Sequence, residues 1–539
     1  MPATDDPLDL IRAALAGRPA WLVGGAVRDR LLGTPPTGGP GGGPPDDARS
    51  RPESRGDAPG GATLLTGAAD LDVVIDGEPR EAARAIARAA RGAAAFALSE
   101  EYGGWRVVAR DGAWQVDVER LRGDTLEGDL ALRDFTVNAL AEPLGDPGAG
   151  RAETIDPLGG LRDLAARRLR AAGPRAFAED PLRVLRLVRI AVELGFEPDA
   201  PTRAQARAGA EGLRAVAGER VFMELRRILD APRAVPGLEL MADVGATPVV
   251  LPELDATRGV QQSRYHHLDV YGHTLEVLAQ AIALQEDPAA ILGSEHRDAL
   301  AALLAEPLAD GLTRGRALRW GALLHDIAKP LTREVLADPR SVADGRVTFL
   351  GHDALGAQLT GELLGRLRAS GRLRSHVAAL VRHHLRLGFL VHEPQPLARR
   401  TVFAYLRACE PVEVDVTLLS VADRLATRGE RAQESIDAHL RLAQGMLGDA
   451  LRWRAGGGPP PGLWRGDELA RELGIPLGPR VGELLEELAE ARYAGEIATR
   501  AQALEHARKH LSAAGAGPRG GDRGGRRGDA EGEDGGGEA

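Results

Sequence analysis

The sequence predicts an α+β fold: an N-terminal α/β head built on a small sheet, followed by an all-α remainder. Two observations carry this reading. Between Trp21 and about residue 160, short β-like runs ("WLVGG", "LDVVID", "WRVVA", "WQVDVERL") alternate with a helical run, "REAARAIARAARG". From about residue 161 onward, apolar residues recur at helical spacing with almost no strand pattern. A length of 539 residues exceeds one ordinary core, so three or more domains are expected.

Composition narrows the class. The chain is 43% hydrophobic, yet no apolar stretch reaches the roughly 18 residues needed to span a bilayer, so no membrane partner is expected. The opening "MPATDDPLDL" is acidic and lacks the basic-then-apolar layout of a signal peptide. A single cysteine, Cys409, suits a reducing compartment, and a cytoplasmic location is expected. Net charge is −10, which by itself argues against a nucleic-acid binder. Locally the balance reverses: between Arg162 and Arg189 eight arginines face three acids, a net of +5 that can grip phosphate. Only two lysines occur, Lys329 and Lys509.

Within the head, "WLVGGAVRDRLLG" runs a strand into Gly24-Gly25 and then a helix carrying Arg28. Glycines at such a turn let backbone N–H groups approach an anion, and the helix N-terminus adds a favourable dipole. The next strand, "GAADLDVVID", places Asp70 and Asp72 on one face and Leu71, Val73 and Ile75 on the other. Two adjacent carboxylates repel unless a cation lies between them, which points to a divalent metal. In "WQVDVERLR", Asp117 is a candidate third acid. Three further blocks follow: "LRDFTVNALA", "IDPLGGLRDL" and "EDPLRVLRLVR", the last placing Asp180 and Arg183 on one helical face.

Taken in this order, the blocks from about residue 19 to 250 resemble the class II tRNA nucleotidyltransferase and bacterial poly(A) polymerase family. The resemblance implies that Asp70 and Asp72 hold Mg²⁺, that Gly24, Gly25 and Arg28 contact the triphosphate of CTP or ATP, and that Arg133, Asp134 and Asn138 position ribose and phosphate. It further implies that Asp180 and Arg183, with Arg186 beside them, read the incoming base. A carboxylate acceptor beside a guanidinium donor matches the pairing edges of cytosine and adenine and mismatches those of uracil and guanine. Two departures stand out. Leu132 replaces the first arginine of the family's R-R-D-F-T block. Only "GDTLEG" separates Arg122 from Asp129, where many CCA-adding relatives carry a longer flexible loop tied to the switch from C to A addition. CCA addition and CC-only addition therefore both stay open.

Ten of the 13 histidines fall between His266 and His392. His273, His325-Asp326, His352, His383, His384 and Asp423 supply the mixed imidazole and carboxylate ligands that suit Mn²⁺, Fe²⁺, Ni²⁺ or Mg²⁺. Their order, H…HD…D, resembles the all-helical HD phosphohydrolase superfamily over about residues 265–430, with "LLHDIAKP" its most specific piece. That resemblance implies His273, His325, Asp326 and Asp423 as core ligands, and His352 with His383 or His384 as a second metal position. Lys329 would meet a substrate phosphate.

The expected organisation is a nucleotidyltransferase head (1–160, with a disordered Gly/Pro-rich insertion at 34–68), a helical neck for nucleotide recognition (161–260), an HD domain (261–430), a helical tRNA-binding tail (431–512) and a disordered tail (513–539). The function expected is addition of C, A or both to a tRNA 3′ end, with tRNA, CTP and ATP as partners and no obligate protein partner. Two alternatives remain: a bacterial poly(A) polymerase, and an HD metal-dependent phosphohydrolase whose N-terminal half binds RNA.

Overall fold

The computed structural model describes residues 6–33, 69–98, 103–144, 153–262, 267–336, 346–428 and 432–515. The expected insertion at 34–68 lies outside them. Of the expected tail, residues 513–515 complete the helix Arg500–Gly515, and 516–539 lie outside the described residues.

The head sheet has six strands: β1 (Ala20–Val23), β2 (Ala69–Ile75), β3 (Ala94–Ala97), β4 (Trp105–Val108), β5 (Trp114–Arg120) and β6 (Ala141–Pro143), in the order β3-β4-β5-β2-β1-β6. β2 and β5 run parallel and every other pairing is antiparallel. The parallel pair needs a crossover. It is supplied by α3 (Pro79–Ala89), whose Ala82, Ala83 and Ile86 are fully buried, and by the β3–β4 hairpin. Two strands were not evident in the sequence. β3 is alanine-rich and mostly exposed, and β6 is three residues long.

Three further helices belong to the head, two of them at the working end of the sheet. α1 (Pro7–Ala14) is capped by Asp6, whose side chain accepts from the Leu8 N–H. α2 (Gly25–Leu32) starts directly at the end of β1, and α4 (Leu126–Ala131) is capped by Thr125. Val23, Val74, Leu126, Leu130, Ala139 and Ala141 form one buried cluster that ties α4 to the sheet.

After the head the described residues are helical apart from three two-stranded pairings: Arg168–Leu169 with Glu197–Pro198, Pro307–Ala309 with Leu312–Thr313, and Glu334–Leu336 with Arg346–Thr348. The described residues fall into two compact units, one drawn from 1–385 and 418–437, the other from 386–417 and 438–539. In the second unit, Phe403, Trp453 and Tyr493 stack mutually with ring centroids 5.6–5.7 Å apart, and Arg400 pairs with Glu487 and Glu496. Among the described residues, no helix is long and apolar enough to cross a membrane.

Candidate functional site

The first site is an open cavity of about 320 Å³ in the first unit, lined by the Gly24–Asp29 turn, Asp70, Asp72, Asn138, Asp134 and seven arginines: 28, 122, 133, 183, 186, 189 and 227. Register explains its floor. Val23 at the end of β1 lies opposite Asp72, and Asp72 lies opposite Asp117, which in turn faces Arg106 on β4. The two aspartates thus stand where β1 turns into α2. Gly24 makes this approach feasible. It has φ +76°, and a Cβ there would lie 3.1 Å from the Asp72 carboxylate and 3.2 Å from the Arg133 guanidinium.

The two carboxylates are electrostatically strained. Burial of the floor, with Asp117 nearby, raises the pKa of Asp70, although Gln115 donates to it at 3.2 Å. Asp72 is accessible to solvent at the cavity, yet the protein mass around its carboxyl, together with Asp70 and Asp117, pushes its pKa up to about 7 against the pull of Arg133. Two raised, neighbouring acids with oxygen donors fit a hard divalent cation. Asp117 takes a different place from its two neighbours. Both of its oxygens accept from Arg106, at 2.6 and 2.7 Å, so this third acid is already neutralised by a guanidinium.

A chain of buried polar contacts crosses the cavity wall. Arg186 donates to Asp134 at 3.3 Å. Asp134 also accepts from the Phe135 N–H at 2.8 Å and from Asn138 at 3.0 Å, and Asn138 accepts from Arg28 at 2.7 Å. Burial alone would raise the Asp134 pKa, but Arg186 and these donors hold it below the usual value. The "RDFTVN" block is therefore a relay that fixes two arginines from different helices. Its companion "IDPLGGLRD" buttresses it. Buried Asp163 accepts from Thr136 at 2.7 Å and from Arg170 at 2.9 Å, and a Cβ on Gly160 would lie 2.2 Å from the Thr136 carbonyl oxygen.

Asp180 and Arg183, expected to act together, each hydrogen-bond to other partners. Asp180 accepts from Arg220 at 3.1 Å, and it does not line the cavity. Arg183 does line it. Its guanidinium donates to the backbone carbonyls of Leu132 at 2.8 Å, Arg133 at 3.3 Å and Ala176 at 3.1 Å. Leu132, where the family carries an arginine, is 37% exposed. The short "GDTLEG" segment is well tethered: buried Asp129 accepts from the Arg122 N–H at 3.1 Å and from the Arg133 side chain at 3.2 Å.

Sequence reasoning missed Arg122, Asp129, Arg189, Glu224 and Arg227. A signal existed for some of them. Arg183, Arg186 and Arg189 recur every three residues along one helical face. Arg189 donates to buried Glu224 at 2.6 Å, and Arg227 pairs with Glu193 at 2.7 Å.

The second site is a buried histidine cluster in the same unit. His273, His325 and Asp326 form one triad of ligand-competent atoms, and Asp326, His352 and His384 form another. The Nδ1 atoms of His325, His352 and His384 each lie 2.7–2.9 Å from the backbone carbonyl three residues earlier, which orients every Nε2 inward. Asp423 lies 3.0 Å from His273 Nε2. Asp326 Oδ1 is buried without a hydrogen bond, while Oδ2 lies 3.1 Å from His325 Nε2 and 2.7 Å from Lys329 Nζ. Imidazole nitrogens and carboxylate oxygens gathered this closely fit bound metal, as does His384, whose pKa burial lowers to about 4 so that its ring stays neutral. His383 is half-buried and belongs to neither triad, so of the two adjacent histidines only His384 enters the cluster.

Known protein families match the regions that carry the two sites. A family model described as Poly A polymerase head domain matches residues 20–170, one described as Probable RNA and SrmB-binding site of polymerase A matches 195–257, and one described as HD domain matches 270–428. An A-adding tRNA nucleotidyltransferase of Deinococcus radiodurans is 37% identical over 83% of this chain and 94% of its own length. A CC-adding tRNA nucleotidyltransferase of Thermus thermophilus is 33% identical over 90% and 92%. In fold, the chain is similar to a CCA-adding enzyme complexed with CTP (TM-score 0.58, 18% identity, covering 94% of this chain and 96% of that one). The chain belongs to the class II tRNA nucleotidyltransferase and bacterial poly(A) polymerase family and carries an HD domain.

Proposed function

We propose that the chain is a template-independent, cytoplasmic tRNA nucleotidyltransferase that transfers CMP or AMP from CTP or ATP onto a tRNA 3′ end with release of pyrophosphate. The observation that carries this is the cavity itself: two strained carboxylates on an open floor beneath seven arginines, a charge layout built for a polyphosphate and its cation.

In this reading Asp70 and Asp72 hold Mg²⁺, which when bound supplies charge neutralisation for the attacking 3′-oxygen and the departing pyrophosphate. Every other role falls to the chain's own groups. The Gly24-Gly25 turn and Arg28 receive the triphosphate, and Asn138 keeps Arg28 aimed. Asp134 is a positioning residue: it sets Arg186 and, through Asn138, Arg28. Arg133 neutralises charge beside Asp72. Arg183 and Arg186 both line the cavity, and their guanidinium N–H groups would supply donors for the ring-nitrogen acceptor of cytosine or adenine. Asp180 joins the base readout only by releasing Arg220. Asp117 is the partner that holds Arg106 beside the two ligand acids. We assign the head to 1–160, the neck to 161–260, the HD domain to 261–430 and the tRNA-gripping tail to 431–512.

The test is incubation with tRNA ending at the discriminator base, at C, or at CC, with labelled CTP or ATP and Mg²⁺, followed by sequencing of the products. Addition of one to three nucleotides supports the reading and shows which part of the terminus this chain builds, since its relatives divide between A-adding and CC-adding members. Long A tails, or no incorporation, overturn it.

A further inference from the structure

Register sets a straight row of residues across four strands of the head sheet. Phe96 on β3 lies opposite Arg106 on β4, Arg106 opposite Asp117 on β5, and Asp117 opposite Asp72 on β2. Directly opposed residues share a face, so all four stand on the face that carries the two ligand acids. The row starts at the cavity floor and runs outward to the edge of the sheet. Three strand spacings of about 4.8 Å put Phe96 about 14 Å from Asp72.

The outer end of the row is apolar and open. Phe96 is 47% exposed, and Leu98, two residues on and so on the same face, is 42% exposed. Beside Leu98 lies Gly104, whose carbonyl accepts from the Leu98 N–H at 2.8 Å. A Cβ at Gly104 would sit 3.9 Å from the Glu119 side chain and 4.0 Å from the Leu98 Cβ, ordinary contact distances, so packing does not demand a glycine. Its effect is a notch in the face. Arg106 stands next to this opening, with two of its three guanidinium nitrogens on Asp117 and its side chain 25% exposed. Phe96, Leu98, Gly104 and Arg106 all lie outside the lining of the nucleotide cavity.

The chemistry of the transfer says what must lie on this side. The 3′-oxygen attacks the α-phosphorus roughly in line with the departing pyrophosphate, so the two approach the floor from opposite directions. The Gly24–Gly25 turn and Arg133, on the triphosphate side, stand toward β1, whereas β5, β4 and β3 form the other flank of Asp72. Resting on the proposed nucleotidyl transfer, we infer that the β5–β4–β3 face is the track of the RNA's 3′-terminal strand. Arg106 meets a phosphate of that strand, and Phe96 stacks a base inward from the reacting end. Every base has a π-face, so an aromatic platform holds the strand whatever its sequence, as an enzyme acting on many tRNAs requires.

The test is single-nucleotide addition by the full chain, with tRNA and CTP or ATP varied in turn. Phe96→Ala should raise KM for tRNA about tenfold and leave KM for the nucleotide within about twofold. Phe96→Trp should stay within about threefold of the parent, whereas Phe96→Leu, apolar without a π-face, should behave as Phe96→Ala does. A tRNA made abasic at each of its last three positions in turn identifies the stacked base: at one position the parent should lose the same factor, and Phe96→Ala nothing further. An unchanged KM for tRNA in Phe96→Ala, an equal rise in both KM values, or Phe96→Trp no better than Phe96→Leu overturns the inference while leaving the transferase reading standing. So do additive losses at all three abasic positions. A shift in gel-filtration mass with KM unchanged would mark a protein contact at this edge and overturns it too. No incorporation by the parent chain overturns the transferase reading and this inference with it.

Discussion

The two sites solve the same problem, holding a cation, with opposite electrostatics. In the head, Asp70 and Asp72 stand at an open cavity with their pKa values raised, so the folded metal-free protein works against its own ionised floor. In the HD cluster, burial would raise Asp326 and Asp423 as well, but the surrounding histidines, with Lys329 at Asp326, hold both well below the usual carboxylate value. An open site waits for a cation that arrives with its substrate. A buried site must already contain its own positive charge, or it would not fold. Accessibility, more than ligand type, sets which device is used.

The comparison breaks most directly at Asp72. Asp72→Asn should lower labelled-nucleotide incorporation by on the order of 10³-fold, the several kcal/mol that a bound cation supplies to the transition state. Co²⁺ uptake by the histidine cluster should stay unchanged. Equal loss of both would show that the sites are not separate.

Next in size is the relay between them and the nucleotide. Asp134→Ala strands Arg186 in the cavity wall and frees Asn138, so it should cost about 3 kcal/mol in denaturant unfolding and raise KM for the nucleotide more than it lowers kcat. Because the folded pKa of Asp134 is lowered, its contribution is fully present above the unfolded value of 3.8 and fades as pH falls through the folded one. The deficit of the variant should therefore shrink in strong acid.

The pH behaviour of the head sharpens the contrast further. Asp72 has a folded pKa of about 7 against 3.8 unfolded, so in chelated protein its ionisation costs stability progressively as pH rises between those values. Cation binding must displace that proton. The Mg²⁺ midpoint, read from thermal stabilisation, should tighten about tenfold between pH 6 and pH 8. Asp72→Asn should abolish the dependence and raise the melting temperature of the metal-free chain at pH 8.

The smallest expected effect separates two adjacent histidines. His384→Ala should weaken Co²⁺ uptake by the cluster at least about tenfold, whereas His383→Ala, outside both triads, should shift it by less than about twofold. A large loss in both would mean that the cluster depends on the helix Gly371–His383 as a whole and not on one ring.

Much of this was legible in the sequence because the chemistry came in short contiguous blocks. Alternation alone placed Asp70 and Asp72 on one face, and the crowding of histidines marked the second site. What the sequence could not convey were partners brought together from far apart. Nothing in "WQVDVERLR" says that Asp117 is claimed by Arg106 on the neighbouring strand, or that Asp180 would meet Arg220 rather than Arg183. Asp129 and Glu224 look like ordinary helical surface acids in one dimension, yet both are buried and each fixes an arginine of the cavity. The choice between His383 and His384 depended on helix phase at its last turn, which a motif does not encode.

The scarcity of lysine has a practical corollary. An amine-directed label has two side chains to find in this chain: Lys509, whose side chain is 76% exposed on the final helix, and the ammonium sealed against Asp326. Modification of the second position can occur only while the seal is broken. The protein thus carries, without any engineering, a chemical clock for the opening of its histidine centre.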